Sequence, residues 1–200
     1  MSERLFSGDV LFAQRLFACA GFYQGALDGI WGPRTDAASA AWDEAFVRAR
    51  TEFGEFDGRT ERALYTILPV AQVLARRYLT AARGRGIDVR ILSGSRTYEE
   101  QNALFRQGRF GNPGRRVTNA RGGQSNHNFG VAWDVGIFDG GRYLQDSPLY
   151  DEAAEELPAG VEWGGAWISF QDRPHYQAAT GFATLAEVRG VFETGELRLA

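Results

Sequence analysis

The chain has 200 residues, an apolar fraction of 44% and a formal net charge of −3 at pH 7. These values are typical of one globular domain or two small ones, and they give no overall attraction to nucleic acid or an anionic membrane. The N-terminus lacks a basic segment followed by an apolar one, and no apolar run is long enough to span a bilayer, so we predict neither a secretory signal nor a transmembrane helix. The single Cys19 excludes an internal disulfide, so folding does not depend on an oxidising compartment.

The N-terminal part of the chain predicts two helices joined by a glycine loop. Apolar residues recur at helical spacing over 9–20, and Gly21 is typical of the residue that follows a helix end. Residues 28–33 combine turn formers with a proline suited to the first turn of a second helix, which we predict over 34–48. So small a helical pair buries too little surface to be stable alone. We therefore expect it to pack on a third helix or on the next domain.

A polar, glycine-punctuated stretch follows, and it predicts a linker over 51–59 before a second domain over 60–200. Thr60 is a candidate cap for a short helix over 61–68. Pro69 suits the first turn of a longer helix to about residue 83, where apolar residues keep helical register.

The next segment predicts a strand, a corner and a helix. Apolar and polar residues alternate over 87–92, and the segment is rich in β-branched side chains, which indicates a strand. Thr97 and Glu100 have the spacing of a capping box, so a helix begins there and Arg96 lies at a corner from which it can point into a cleft. Residues 106–124 form a glycine-rich loop with five arginines. Arginines can contact phosphates, but no nucleic-acid-binding motif accompanies them, so we interpret this loop as the rim of a site.

A strand predicted over 129–138 has two different faces. One face is bulky, and the other is small apart from the carboxylate of Asp134, which leaves room for an ion. A buried carboxylate without a partner is costly, and a metal ion removes that cost. After it we predict a short acidic helix over 148–157, a strand beginning at 168–170, another strand beginning near His175, and a last helix over 184–196.

The two histidines of the chain, His127 and His175, indicate a metal site. Histidine is the commonest metal ligand, and two imidazoles with the Asp134 carboxylate are a donor set that zinc accepts with one position left open. Asp172 is three residues before His175 and supplies the carboxylate that a zinc peptidase needs to accept a proton from the attacking water. A cation such as Arg96 can share the oxyanion that develops on the scissile carbonyl. A lone histidine usually has a structural role, but two histidines with acids at these spacings favour a metal site.

The N-terminal segment 11–42 resembles the small helical peptidoglycan-binding domain found beside many cell-wall hydrolases. The most specific part is the loop 28–35, which reads Asp-Gly-Ile-x-Gly-x-x-Thr. The resemblance implies that domain 1–50 binds peptidoglycan, with Tyr23 and Trp31 as candidate contacts. The alternatives are a generic helical hairpin whose loop only needs glycines, and aromatic residues that belong to the core.

Four segments of the second domain resemble the family of zinc D-Ala-D-Ala carboxypeptidases and L-alanyl-D-glutamate endopeptidases, above all its endopeptidase branch, which includes phage endolysins. They are Ser93–Gln101, Ser125–Asp134, 160–165 and Asp172–His175. The resemblance implies three zinc ligands, which are His127, Asp134 and His175. It also implies that Asp172 is the general base, that Arg96 binds substrate or stabilises the transition state, and that Ser125 contacts substrate or the ligands. The carboxypeptidase branch often has Glu in place of Asp172, which favours the endopeptidase branch.

We therefore predict an α+β fold, with a small antiparallel sheet flanked by helices around a zinc cleft, preceded by a small all-α helical domain. The predicted function is a zinc-dependent L-alanyl-D-glutamate endopeptidase that acts on peptidoglycan as a monomer, without nucleic acid or membrane insertion. We expect a phage endolysin, made in the cytoplasm without a signal peptide and released at host lysis. The alternatives are a D-Ala-D-Ala carboxypeptidase and a non-catalytic, zinc-containing wall-binding protein.

Overall fold

The computed structural model describes residues 5–199. The helices of this region are α1 (Val10–Cys19), α2 (Pro33–Phe53), α3 (Gly58–Tyr65), α4 (Pro69–Gly84), α5 (Tyr98–Arg106), α6 (Leu149–Ala153) and α7 (Leu185–Glu193). The strands are β1 (Asp88–Ser93), β2 (Ala132–Asp139), β3 (Arg142–Leu144), β4 (Val161–Trp163) and β5 (His175–Ala178). They form one antiparallel sheet in the order β1-β2-β5-β4, with β3 paired to β2. The predicted α+β fold with a small antiparallel sheet and flanking helices is confirmed. Within the described residues, no helix has the length and apolar character needed to cross a bilayer.

The second helix is longer than predicted. Helix α2 continues from Pro33 to Phe53 because the buried stripe that contains Trp42 extends to Ala49, and Gly54, with φ of 85°, then ends it. The non-helical connection to α3 is therefore limited to residues 54–57, which is shorter than the linker predicted over 51–59.

Two local predictions are wrong. Helix α3 is capped by Asp57, whose carboxylate accepts hydrogen bonds from the backbone of Arg59 and Thr60, and Thr60 lies inside the first turn. Asp57 takes the capping position because its Oδ1 accepts from two free N–H groups of the helix start, while its Oδ2 accepts a 2.6 Å hydrogen bond from the Thr60 hydroxyl. Residues 168–170 form no strand, and Ile168 and Phe170 are exposed in a loop.

The N-terminal helices pack directly on the rest of the protein through a continuous apolar core. The ring of Phe12 in α1 lies 5.6 Å from that of Phe192 in α7, and the indole of Trp42 donates a 2.9 Å hydrogen bond to the carbonyl of Tyr65. The expectation that this helical pair packs on a further helix or on the part of the chain that follows is confirmed. The division of the chain into a binding domain and a peptidase domain stays a prediction.

Strand β2 has the two faces that the sequence predicts. Trp133 and Val135 are buried in the core, whereas Asp134 points to the opposite face and is partly exposed. The strand begins later than predicted because residues 126–129 form a 3-10 turn and Gly130 follows with φ of 74°. Strand β5 pairs with β2 in a register that sets His175 directly opposite Asp134. The sheet itself therefore brings these two side chains together.

Candidate metal centre

The side chains of His127, Asp134 and His175 form a compact cluster whose ligand atoms all lie within 4.8 Å of one another. The Asp134 Oδ1 atom lies 3.1 Å from His127 Nε2 and 3.4 Å from His175 Nδ1. A tetrahedral ion with ligand bonds of about 2.1 Å separates its ligand atoms by about 3.4 Å. The two separations that involve Asp134 therefore match those of a tetrahedral metal site.

The backbone orients the imidazole of His127. Its Nδ1 atom lies 2.7 Å from the carbonyl oxygen of Gly94 at the end of β1, and that oxygen can only accept a hydrogen bond. The proton therefore resides on Nδ1, and the lone pair of Nε2 points toward Asp134. Glycine is required at position 94 because the backbone packs closely on α3, and a Cβ there would lie 2.3 Å from the carbonyl oxygen of Ala63.

An amide network orients the imidazole of His175. Its Nε2 atom lies 3.0 Å from Gln177 Oε1, which also accepts a 2.6 Å hydrogen bond from Asn126. The Gln177 amide nitrogen donates in turn to Glu162 Oε2 at 2.7 Å. Because the Glu162 carboxylate can only accept, it fixes the orientation of the Gln177 amide, so the His175 proton resides on Nε2 and Nδ1 faces Asp134. These outer partners of His175 were not predicted, although Gln177 lies two residues along the same strand face.

The pKa values of Asp134, His127 and His175 are shifted by burial and by the charges of the neighbouring groups. Burial alone would raise the pKa of Asp134, but the charges and hydrogen bonds of His127 and His175 hold it well below its usual range. Burial lowers the pKa of His127, which favours the neutral imidazole that a metal requires. Burial also acts to lower the pKa of His175, but the adjacent Asp134 carboxylate raises it overall.

Arg96 lies beside this cluster, as predicted from its position at a corner. Thr97 and Glu100 form the predicted capping box at the start of α5, and the Arg96 backbone N–H donates a 2.9 Å hydrogen bond to the His127 carbonyl. The guanidinium Nη2 lies 3.4 Å from Asp134 Oδ2. Burial lowers the pKa of Arg96 although Asp134 opposes this shift, and a guanidinium remains charged throughout.

Asp172 lies in the turn that leads into β5. Its backbone carbonyl accepts a 3.1 Å hydrogen bond from the backbone N–H of His175, and its own N–H donates to the Gly164 carbonyl at 3.0 Å. Burial and the nearby negative charge of Asp134 raise the pKa of the Asp172 carboxyl group. A carboxyl group with a raised pKa beside this cluster is suited to accept and return a proton.

Ser125 precedes the 3-10 turn that carries His127. It is partly buried, and its carbonyl accepts a 2.9 Å hydrogen bond from the backbone N–H of Asn128. A role for its hydroxyl in contacting substrate stays a prediction.

The alternatives left open for the two N-terminal aromatic residues are now decided for one of them. Tyr23 is buried, and its hydroxyl donates to the carbonyl of Ala26 and accepts a hydrogen bond from Gln14, so Tyr23 belongs to the core. Trp31 packs edge-on against Phe17, at a centroid distance of 6.5 Å, and remains partly exposed. Trp31 is therefore the aromatic side chain of this pair that a ligand can still reach.

This chain is similar to known proteins in sequence and in structure. A family model described as D-alanyl-D-alanine carboxypeptidase matches residues 118–178. A solved structure, the Serratia marcescens L-Ala D-Glu endopeptidase ChiX, resembles 63% of this chain and 90% of that chain, with a TM-score of 0.47 and 26% sequence identity. The peptidoglycan L-alanyl-D-glutamate endopeptidase CwlK of Bacillus subtilis (strain 168) is 38% identical over 122 residues, which cover 54% of this chain and 71% of that protein. On the identity and coverage of this last alignment, the chain belongs to the peptidase family that includes D-alanyl-D-alanine carboxypeptidases and peptidoglycan L-alanyl-D-glutamate endopeptidases.

Proposed function

We propose that this protein is a zinc-dependent endopeptidase that hydrolyses the L-alanyl–D-glutamate bond in the stem peptides of peptidoglycan. The observation that carries the proposal is the compact cluster of His127, Asp134 and His175, with Arg96 and Asp172 beside it. The similarity to CwlK, which is named for this reaction, supports the same conclusion.

Zinc is the proposed cofactor because the donor set suits it. Two neutral imidazoles and one carboxylate are typical of catalytic zinc sites that keep a position open. His127 and His175 each use their second ring nitrogen in a hydrogen bond to an acceptor, as the histidine ligands of zinc commonly do. When bound, zinc supplies Lewis-acid chemistry, which lowers the pKa of water and polarises a carbonyl group.

The catalytic residues of the proposal are Asp172 and Arg96. The carboxylate of Asp172 accepts a proton from the attacking water and delivers it to the leaving amine, a task for which its raised pKa is suited. The charged guanidinium of Arg96 donates hydrogen bonds to the substrate carbonyl as negative charge develops on its oxygen. Ser125 is proposed as a polar contact to the substrate.

Residues 1–50 are proposed to hold the enzyme on peptidoglycan. Support comes from the loop over 28–35. The side chain of Gln14 in α1 holds this loop through hydrogen bonds to Asp28 and Gly29, and Ile30 at the tip of the loop is 69% exposed. The setting we propose is a phage endolysin that acts as a monomer after release at host lysis.

A second candidate function, D-alanyl-D-alanine carboxypeptidase, is favoured by the family model that matches residues 118–178. Mass spectrometry of digested sacculi separates the two functions. The proposal predicts free stem peptides that begin at D-glutamate, whereas loss of terminal alanine alone would reject it in favour of the carboxypeptidase. A non-catalytic wall-binding protein would give neither product.

The variant Asp172→Asn tests the catalytic assignment separately. It removes the proton acceptor and leaves the three ligands in place, so we expect loss of turnover with zinc still bound in equimolar amount. Full turnover by this variant would show that Asp172 is not the base.

A further inference from the structure

An open groove with a volume of about 680 Å³ lies beside the metal centre and follows helix α5. Arg96 and Glu100 line the end near the metal, Leu104 lines the middle, and Arg106 lines the far end. Asn112 contributes to the facing wall from the loop that follows the helix. Arg96 thus belongs both to the metal centre, through Asp134, and to this groove.

The length of the groove suits several residues of an extended peptide. Tyr98–Arg106 comprises nine helical residues, and a helix rises about 1.5 Å per residue, so the groove extends about 12 Å from the metal end. An extended peptide advances about 3.3 Å per residue. The groove therefore accommodates about four residues of a substrate whose scissile bond lies at the metal.

The charge of this region differs from that of the chain as a whole. Residues 101–133 contain five arginines and no acidic residue, whereas the whole chain has a net charge of −3. Arg109 is used internally, because its guanidinium donates to the carbonyls of Phe105 and Thr118 and to the side chain of Asn119. This basic segment thus contributes to one wall of the groove, and it contains no carboxylate that could neutralise its arginines.

Arg106 is the cation of the groove that remains unpaired. Its side chain is exposed, and its guanidinium makes no hydrogen bond or ion pair with any residue in 5–199, although its backbone carbonyl accepts a hydrogen bond from the Arg109 N–H. The charge of Arg96 is shared with Asp134, and the carboxylate of Glu100 accepts a 2.7 Å hydrogen bond from the Thr97 N–H at the start of the helix. The far end of the groove therefore presents an unmatched positive charge.

We infer that this groove binds the D-glutamate side of the stem peptide and that Arg106 pairs with a carboxylate on that side. The inference rests on the proposed function. Of the two residues that flank the scissile bond, alanine has a methyl side chain, whereas glutamate has a second carboxyl group. The acidic half of the substrate matches the basic groove, and the apolar surface of Leu104 contacts aliphatic parts of the peptide.

Two synthetic tetrapeptides test the inference in the zinc-loaded enzyme. Both begin with the L-alanyl–D-glutamate bond, and they differ only in whether the carboxyl groups are free or converted to amides. For the acidic peptide, Arg106→Gln should raise KM by about 5- to 10-fold, the size expected for one charge-assisted hydrogen bond at a partly exposed site, with kcat unchanged. For the amide peptide, the variant should behave like the wild type.

Arg142→Gln provides a matched control, because Arg142 is exposed on β3 and does not line the groove. It should leave KM unchanged for both peptides. Equal KM values for Arg106→Gln and the wild type on the acidic peptide would overturn the inference, and so would an equal rise on both peptides. If the wild type cleaves neither peptide, the proposed function fails and the inference fails with it.

Discussion

Replacing Gln177 with leucine should weaken metal binding through the orientation of His175. The substitution removes the 3.0 Å acceptor of His175 Nε2 and the 2.6 Å partner of Asn126 in a buried environment. A buried N–H without a partner costs about 1–3 kcal/mol. The ring can avoid this cost by moving its proton to Nδ1, but that proton then blocks the atom that faces Asp134. We expect Gln177→Leu to lower zinc affinity by about 10- to 100-fold, or about 1.4–2.8 kcal/mol.

Competition with a chromophoric chelator on the apoprotein measures this affinity without relying on activity. Gln72→Leu is the matched control, because Gln72 is also buried and its side-chain amide donates to the carbonyl of Ile67, at the start of α4 and away from the cluster. It should lower the melting temperature and leave zinc affinity unchanged. Wild-type zinc affinity in Gln177→Leu would refute the reasoning. Equal losses of affinity in both variants would attribute the effect to general destabilisation.

Three further predictions concern other parts of the fold. Gly94→Ala should lower the free energy of unfolding by about 1–3 kcal/mol and weaken zinc binding, because the alanine Cβ would lie 2.3 Å from the Ala63 carbonyl oxygen. Thermal melts and the chelator assay measure the two effects. Asp57→Ala should cost about 0.5–2 kcal/mol at neutral pH by removing the α3 cap. Burial acts to raise the pKa of Asp57, but the hydrogen bonds at this cap lower it overall. The stabilisation by the ionised carboxylate is therefore present above the unfolded-state pKa of about 3.9 and is lost as the pH falls through the lower folded-state pKa. Urea melts at pH 7 and about pH 2 should show that the stability difference between the variant and the wild type disappears in acid. Burial raises the pKa of Cys19 to about 11, so thiol reagents at pH 8 should modify it only after unfolding, and reaction of the native protein at the rate of a free thiol would contradict this.

The cluster of candidate metal ligands could be predicted because the sequence offers few residues of these types. The chain has two histidines, and the alternation of β2 isolates Asp134 on a face of small residues, so donor type and strand periodicity together select the candidate ligands. The pairing of β5 with β2, which sets His175 opposite Asp134, follows from the sheet and could not be read from local patterns.

The groups that orient the ligands could not be predicted, since they act between distant segments. The Gly94 carbonyl reaches His127 across 33 positions, and the Asn126 amide reaches Gln177 across 51. No periodicity encodes such contacts. The wrong cap at Thr60 has a local cause, because two capping residues compete within one turn and the stronger acceptor lies earlier in the sequence.

The most direct test of the central claim is the amount of new amino-terminal D-glutamate released from purified peptidoglycan. Chemical labelling of free amines before and after digestion measures it for the zinc-loaded enzyme, the apoprotein and Asp172→Asn. We predict that labelled D-glutamate accumulates with the zinc-loaded enzyme alone. Release of free alanine without new D-glutamate termini would contradict the proposed scissile bond. Equal accumulation with the apoprotein would contradict the role of the metal cluster.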